Sequence, residues 1–184
     1  VNGTLTVNNM TFTPVNPLTV GTTGEVSGTG TVAAAVTANG TVSPGSSAGT
    51  LTFSDSLTGS SDAVYAIELG GTTAGSSFDV IDVTNAFDLG SGTLNVTFID
   101  SFENAIQAAD TFTIMTAGDL TGSFGNLSGG TVATADGLGW FSVNITEGTD
   151  GDVVLTDFVP IPEPSTLVAL VLGIALMALR PGKC

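Results

Sequence analysis

The sequence predicts an all-β protein. Residues 1–158 are poor in charge and rich in Gly, Thr and Val, a composition typical of β-proteins rather than helical ones. Short runs alternate apolar and polar residues with the period of two that marks a half-buried strand. In the run GTLNVTFID, for example, Leu94, Val96 and Phe98 fall on one face of the predicted strand.

The candidate strands are separated by Gly, Asn, Asp, Ser and Pro, the residues that favour turns. A short helical turn is expected around residues 103–109, before Asp110. The expected strands cover residues 5–13, 31–36, 50–53, 64–69, 78–83, 93–99, 111–115, 140–145 and 153–158.

An internal repeat favours a solenoid. The triplet Gly-Thr-Leu recurs at residues 3–5, 49–51 and 92–94, and each copy opens a β-run after a turn. The spacing of about 45 residues would correspond to two stacked coils of about 22 residues. A β-sandwich or jelly roll rich in Gly and Thr remains the alternative. Stacked coils place equivalent side chains about 4.8 Å apart, so the acidic groups are expected at turns and on the outer face.

The charge is distributed very unevenly. The only cations are Arg180 and Lys183, while residues 1–158 hold every acidic residue except Glu163, and the chain has no His. Nucleic acid is therefore excluded as a partner of residues 1–158, because binding to phosphates depends on Lys and Arg. Self-repulsion within this acidic body should be relieved by salt or by divalent cations.

The missing bases also exclude most enzyme classes. Without His, Lys or Arg, residues 1–158 cannot form a Ser-His-Asp triad, a Schiff base or a histidine metal site. A pair of carboxylates, as in glycoside hydrolysis, is the one catalytic arrangement left open. Asp79 and Asp82 are three residues apart in a predicted strand, so they should lie on opposite faces and act separately. The protein is therefore expected not to be an enzyme.

Two weaker binding features stand out near the end of the body. The run EGTDGD places Glu147, Asp150 and Asp152 around two glycines, and such oxygen ligands suit Ca²⁺. Calcium is the only cofactor that the sequence suggests, and diffuse counter-ion binding is the alternative. Trp140 and Phe141 are adjacent, so one should be core and Trp140, if outside, would offer a sugar-stacking platform.

Residues 41–58, TVSPGSSAGTLTFSDSLT, resemble the autotransporter-associated β-strand repeat of bacterial surface proteins. The stretches that begin at Tyr65 and Ala108 follow in the order usual for that family, and the resemblance covers residues 26–158. It implies a right-handed parallel β-helix with a C-terminal cap, and a passenger or scaffold role. The family has no shared catalytic residues.

The tail, residues 159–184, differs from everything before it. Its apolar run, residues 167–179, would span about 20 Å as a helix. That is short for a bilayer core of about 30 Å, so a transient membrane segment is favoured over a permanent anchor or a buried helix of the body. Arg180 and Lys183 place the C-terminus on the cytoplasmic side. The membrane-spanning side chains are expected to be Leu167, Leu170, Leu172, Ile174, Leu176 and Leu179.

The order of features in the tail resembles the PEP-CTERM sorting signal. Pro162, Glu163 and Pro164 precede the apolar run, and the basic residues follow it, although RPGKC replaces the usual dense Arg cluster. The resemblance implies cleavage near the motif by an exosortase, a membrane protease, and export of the body. The expected function is a structural or adhesive role at the cell surface or in an exopolysaccharide matrix. A carbohydrate-binding module and a carboxylate-dependent glycosidase are the alternatives, and Cys184 has no assigned role.

Overall fold

The structure is a computed structural model that describes residues 1–161, and it confirms an all-β body. The one helical element in this range is a 3₁₀ turn at Phe102–Asn104. The tail helix expected in residues 167–179 lies outside the described residues. The strands are β1 (Thr4–Thr6), β2 (Thr11–Phe12), β3 (Leu18–Val20), β4 (Glu25–Gly28), β5 (Thr31–Val32), β6 (Val36–Ala38), β7 (Thr41–Pro44), β8 (Thr50–Phe53), β9 (Leu57–Gly59), β10 (Val64–Leu69), β11 (Val80–Asp88), β12 (Thr93–Phe98), β13 (Phe112–Thr121), β14 (Thr131–Ala133), β15 (Gly139–Thr146) and β16 (Gly148–Pro160).

The strands form three parallel ladders. The first ladder runs β1-β4-β7-β10-β12, and the second runs β2-β5-β8-β11-β13. The third contains β3, β6, β9 and the last residues of β11 and β13. We call each recurring set of strands a rung, so that β1 to β3 form the first rung and β12 with β13 the fifth.

The rungs are unequal in length, so the even coil length of about 22 residues expected from the sequence is not observed. The step along the chain between paired residues varies from 16, between Glu25 and Thr41, to 34, between Ile81 and Met115. The Gly-Thr-Leu triplets do not occupy equivalent positions either, because Thr4 and Thr93 lie in the first ladder and Thr50 lies in the second. Parallel pairing fixes only the strands, so the loops between them differ in length without disturbing the ladders.

Several expected strands have different bounds. The expected strand at residues 5–13 is divided into β1 and β2 by a turn in which Asn9 has a φ of 50°, and residues 31–36 are divided into β5 and β6. The helical turn expected at residues 103–109 is limited to Phe102–Asn104. The short strands β3, β4 and β9 were not anticipated, because runs of three or four residues carry too little alternation to be recognised.

The C-terminal end of the ladders is closed by an antiparallel sheet. Beyond β13 the order continues as β16, β15 and β14, each antiparallel to its neighbour. This sheet covers a cluster of aromatic rings in which Phe112 and Phe141 are fully buried, with ring centroids 5.9 Å apart. Phe158 packs against Phe141 at 4.9 Å, and Phe98 packs against Phe158 at 5.2 Å. The last rung therefore ends in a tightly packed apolar core.

The free edge of β12, the last strand of the first ladder, is hydrogen-bonded by side chains. The Asn126 amide accepts from Leu94 N–H at 3.0 Å and donates to the Leu94 carbonyl at 2.8 Å, as a neighbouring strand would. Asp136 Oδ2 accepts from Phe98 N–H at 3.0 Å. Burial opposes ionisation of Asp136, but hydrogen bonds from Phe98, Thr134 and Leu138 outweigh it and lower the pKa of this carboxyl.

The first rung has no such cover among the described residues. β1 and β2 are the terminal strands of their ladders, and β3 pairs only with β6. Their inward side chains, Leu5, Phe12 and Leu18, pack against the core but remain half-buried. The two ends of the ladders thus differ in how completely they cover the apolar interior.

Candidate binding groove

Two carboxylates and a hydroxyl form a row across three neighbouring strands on the outer face. Asp82 of β11 is paired with Thr116 of β13, which in turn is paired with Asp152 of β16. Thr116 Oγ1 donates a hydrogen bond of 2.8 Å to Asp82 Oδ1. Strand spacing places Asp82 and Asp152 about 10 Å apart at their Cα atoms. The row therefore has the hydroxyl between two acids, all three partly exposed.

This row lies in a groove of about 450 Å³. Asp150 adds a third carboxylate to its lining, and its φ of 54° places it in the left-handed region that Asp tolerates. The register shift between Val83 and Ala86 occurs in the strand that forms one wall. Carboxylates, a hydroxyl and backbone groups are the groups that hydrogen-bond a sugar or surround a cation.

The calcium ligands expected from the sequence are only partly brought together. Asp150 and Asp152 line the groove, whereas Glu147 is not part of its lining and accepts a hydrogen bond from Gly122 N–H at 2.9 Å. Within residues 1–161, no three His, Cys, Asp or Glu side chains are grouped closely enough to hold a metal ion. A calcium site at Glu147, Asp150 and Asp152 stays a prediction.

Asp79 is the one fully buried acid in the described part of the chain, and it is not part of the groove lining. Its carboxylate accepts from Gly49 N–H at 2.8 Å and from Glu68 N–H at 2.9 Å. Burial raises the pKa of Asp79 to about 7, although these two hydrogen bonds favour the charged form, and the nearby charge of Glu68 adds to the rise. Asp79 lies just before β11 and is buried, whereas Asp82 is partly exposed in the groove, so Asp79 is a link between strands rather than a partner of Asp82.

Trp140 lies on a second, separate surface. It is 39% exposed and is paired with Val159 of β16, which is 42% exposed, while the adjacent Phe141 is fully buried. This confirms that the Trp140 side chain lies on the outside and Phe141 in the core. Asp152 is seven residues from Val159 along β16, or about 23 Å at the rise of a strand. The aromatic surface and the groove are therefore distinct.

The groove is the feature that sequence reasoning missed. In the sequence, Asp79 is the acid nearest to Asp82. The residues that lie beside Asp82 in the sheet are instead Thr116 and, one strand further, Asp152, both far from it along the chain. The only signal in the sequence is that each of these polar residues occupies an outward position of an alternating strand.

The sorting residues Pro162, Glu163 and Pro164, together with Arg180 and Lys183, lie beyond the described residues. In residues 1–161, no helix has the length and apolar character needed to cross a bilayer. No protein-family model and no curated protein matches this chain.

Proposed function

We propose that the protein is an exported bacterial surface or matrix protein, with a right-handed parallel β-helix as its body and a C-terminal sorting signal. The three parallel ladders support the β-helix, because a sandwich or jelly roll would be built mainly of antiparallel pairs. The antiparallel sheet after β13 supports the C-terminal cap that the repeat resemblance implies.

The observation that carries the proposal is the order of features at the C-terminus. The last strand ends at Pro160, and the Pro162-Glu163-Pro164 motif comes almost at once, then the short apolar run and the two cations. A membrane protease of the exosortase type would find the motif next to the end of a folded domain. The inner membrane would hold the tail only until cleavage.

The intact mass of the mature protein from its native host tests this proposal. Loss of the residues after about position 164 is the expected result. The variant Glu163→Ala should retain the full mass and remain in the membrane fraction, whereas Asp62→Ala, a change of an exposed acid in the body, should be processed normally. Full-length, membrane-retained wild-type protein would refute the proposal.

The groove favours an adhesive role in which the body binds a neutral glycan. Asp82, Thr116 and Asp152 offer acceptors and a hydroxyl on one row, and no cationic side chain is present in the body to attract an acidic polysaccharide. The variants Asp82→Asn and Asp152→Asn should weaken binding on a glycan array. Asp119→Asn changes an exposed acid of β13 outside the groove and is the matched control.

A glycosidase is the second candidate function, because Asp82 and Asp152 in this row form a pair of carboxylates. Inverting enzymes place their two carboxyl groups about 6.5–9.5 Å apart, which side chains on Asp82 and Asp152 could reach across two strand spacings. Release of reducing ends from a polysaccharide, abolished by either Asp→Asn change, would favour this function over binding alone. The Trp140→Ala variant distinguishes binding or hydrolysis at the groove from binding at the aromatic surface, because it changes only the aromatic surface.

A further inference from the structure

The aromatic surface of Trp140 and Val159 extends to the last described residue. Ile161 N–H donates to the Leu138 carbonyl at 2.8 Å, so the antiparallel pairing of β15 with β16 continues one residue beyond Pro160. Residues two apart on a strand point to the same face, so Leu138 joins Trp140 and Ile161 joins Val159 on this side of the sheet. Four apolar side chains thus lie in two neighbouring rows on the outside of the cap.

This surface holds much of the exposed apolar area of the described residues. Six large hydrophobic side chains are exposed in residues 1–161, and Trp140, Val159 and Ile161 are three of them. The other three precede β3: Val1, Met10 and Val15. The cap is therefore the place where exposed apolar side chains meet in adjacent rows of a paired sheet.

The acids nearest to this surface along the described chain are Asp136 and Asp157, and both are exposed. Asp136 accepts hydrogen bonds from Phe98 N–H at 3.0 Å and from Leu138 N–H at 3.1 Å. Asp157 accepts from the Thr156 hydroxyl at 2.8 Å. An anionic membrane would repel these two carboxylates, so the lipid surface that suits this face is zwitterionic.

The aromatic surface also lies where the chain leaves the body. Five residues, 162–166, separate Ile161 from the apolar run that begins at Leu167. A chain extends by at most about 3.6 Å per residue, so the Cα atoms of Ile161 and Leu167 are no more than about 22 Å apart. In the proposed function, on which this step rests, the run enters the bilayer. The aromatic surface is then held next to the lipid headgroups, and the run is not free to cover it.

We propose that the aromatic surface docks onto the zwitterionic headgroups of the membrane that holds the tail. Trp suits this position, because its indole places an apolar ring and an N–H at the boundary between hydrocarbon and water. Leu138, Val159 and Ile161 add apolar contact beside the ring. Docking turns the capped end of the ladders toward the membrane and holds residues 162–164 at the depth of the headgroups, within reach of a membrane protease.

Trp140 is the only Trp of the chain, so its fluorescence reports on this surface alone. The full chain is reconstituted into phosphatidylcholine vesicles, either unmodified, brominated near the headgroup or brominated near the ends of the acyl chains. Bromine quenches Trp only on close approach. The expected result is a loss of Trp140 emission that is larger with the shallow bromines than with the deep ones.

A matched control moves the single Trp to the opposite end of the ladders. Trp140→Phe combined with Met10→Trp places it at a position that is 57% exposed and apolar, and its emission should be the same in brominated and unmodified vesicles. A second variant, Val159→Thr with Ile161→Thr, keeps Trp140 and the β-branched side chains but makes the neighbouring row more polar. It should reduce the quenching of Trp140.

Flotation of the same vesicles distinguishes failure of the docking from failure of the proposed function. A full chain that does not float with the vesicles would refute insertion of the tail, and the docking with it. A chain that floats while Trp140 stays unquenched would overturn the docking alone, and protection of Trp140 from acrylamide would then indicate cover by the tail or by a second copy. Equal quenching of Trp at position 10 would also overturn it, because the body would then contact lipid without preference for this surface.

Discussion

At one end of the ladders, fully buried Phe112 and Phe141 lie beneath an antiparallel sheet, and at the other end Phe12 lies half-buried at an open edge. The same kind of strand is used at both ends. The difference lies in the neighbouring segments, since the C-terminal end has loops and side chains that satisfy the edge and the first rung has none in the described residues. The closed end should therefore supply more of the stability of the body than the first rung does.

The largest expected effect is the loss of stability when a Phe is replaced by Ala, and it should differ between the two ends of the ladders. Phe141→Ala should lower the free energy of unfolding by about 3–5 kcal/mol, because it leaves a cavity among closely packed rings. Phe12→Ala removes a half-buried ring and should cost about 1–2 kcal/mol. Urea unfolding of the full chain in mild detergent measures both. Equal losses would contradict the difference between the ends.

A buried acid in the middle of the stack should make stability depend on pH. The pKa of Asp79 is raised to about 7 in the fold and returns to about 4 on unfolding. The folded state thus binds more protons in this range, and its stability should fall as pH rises from about 4 to about 7, by on the order of a few kcal/mol. Melting temperatures measured across this range test the slope.

The Asp79→Asn variant identifies the group responsible for that slope. It should be less stable than the wild type at low pH, because the amide cannot accept from both Gly49 and Glu68, but its stability should vary less with pH. Asp119→Asn, a change of an exposed acid, should keep the wild-type slope. An unchanged slope in Asp79→Asn would exclude Asp79 as its source.

The edge of β12 gives a smaller and more local test. Asn126→Ala removes both hydrogen bonds to Leu94 and should cost about 1–2 kcal/mol in urea unfolding. Asn126→Asp keeps the acceptor for Leu94 N–H but places a carboxylate against the Leu94 carbonyl. It should therefore still lack the stability that the hydrogen bond from the Asn126 amide to this carbonyl contributes. A neutral Asn126→Ala would mean that water satisfies this edge equally well.

The smallest expected effect is that of calcium on the stability of the acidic body. Millimolar Ca²⁺ should raise the melting temperature of the body beyond an ionic-strength control, because sixteen of the seventeen acids precede the tail and no basic side chain accompanies them. Asp82→Asn together with Asp152→Asn should leave most of the shift if calcium binds diffusely. Complete loss of the shift would instead place one specific site at the groove, and no shift at all would refute calcium binding.

Much of the fold was predictable because its signal is local. The strands β8 and β10 have the bounds that alternation predicted, and Thr31, Thr41, Thr50 and Thr93 each begin a strand after a glycine. The division of residues 5–13 into β1 and β2 was not predicted, because the turn depends on the conformation of Asn9. The groove was not predicted either, since it joins Asp82, Thr116 and Asp152 from three separate strands.

By itself the sequence determined the β class, the acidic and base-free body and the order of Pro-Glu-Pro, apolar run and cations in the tail, because composition, alternation and motif spacing are properties of neighbouring residues. Only the tertiary structure decided which strands are neighbours, and therefore that Asp79 is buried and Asp82 faces a groove. It also decided that Asn126 protects the edge of β12, while β1 has no such partner among residues 1–161. The physical reason is that strand pairing satisfies backbone groups between residues far apart in the chain, and such partners leave no trace in local sequence.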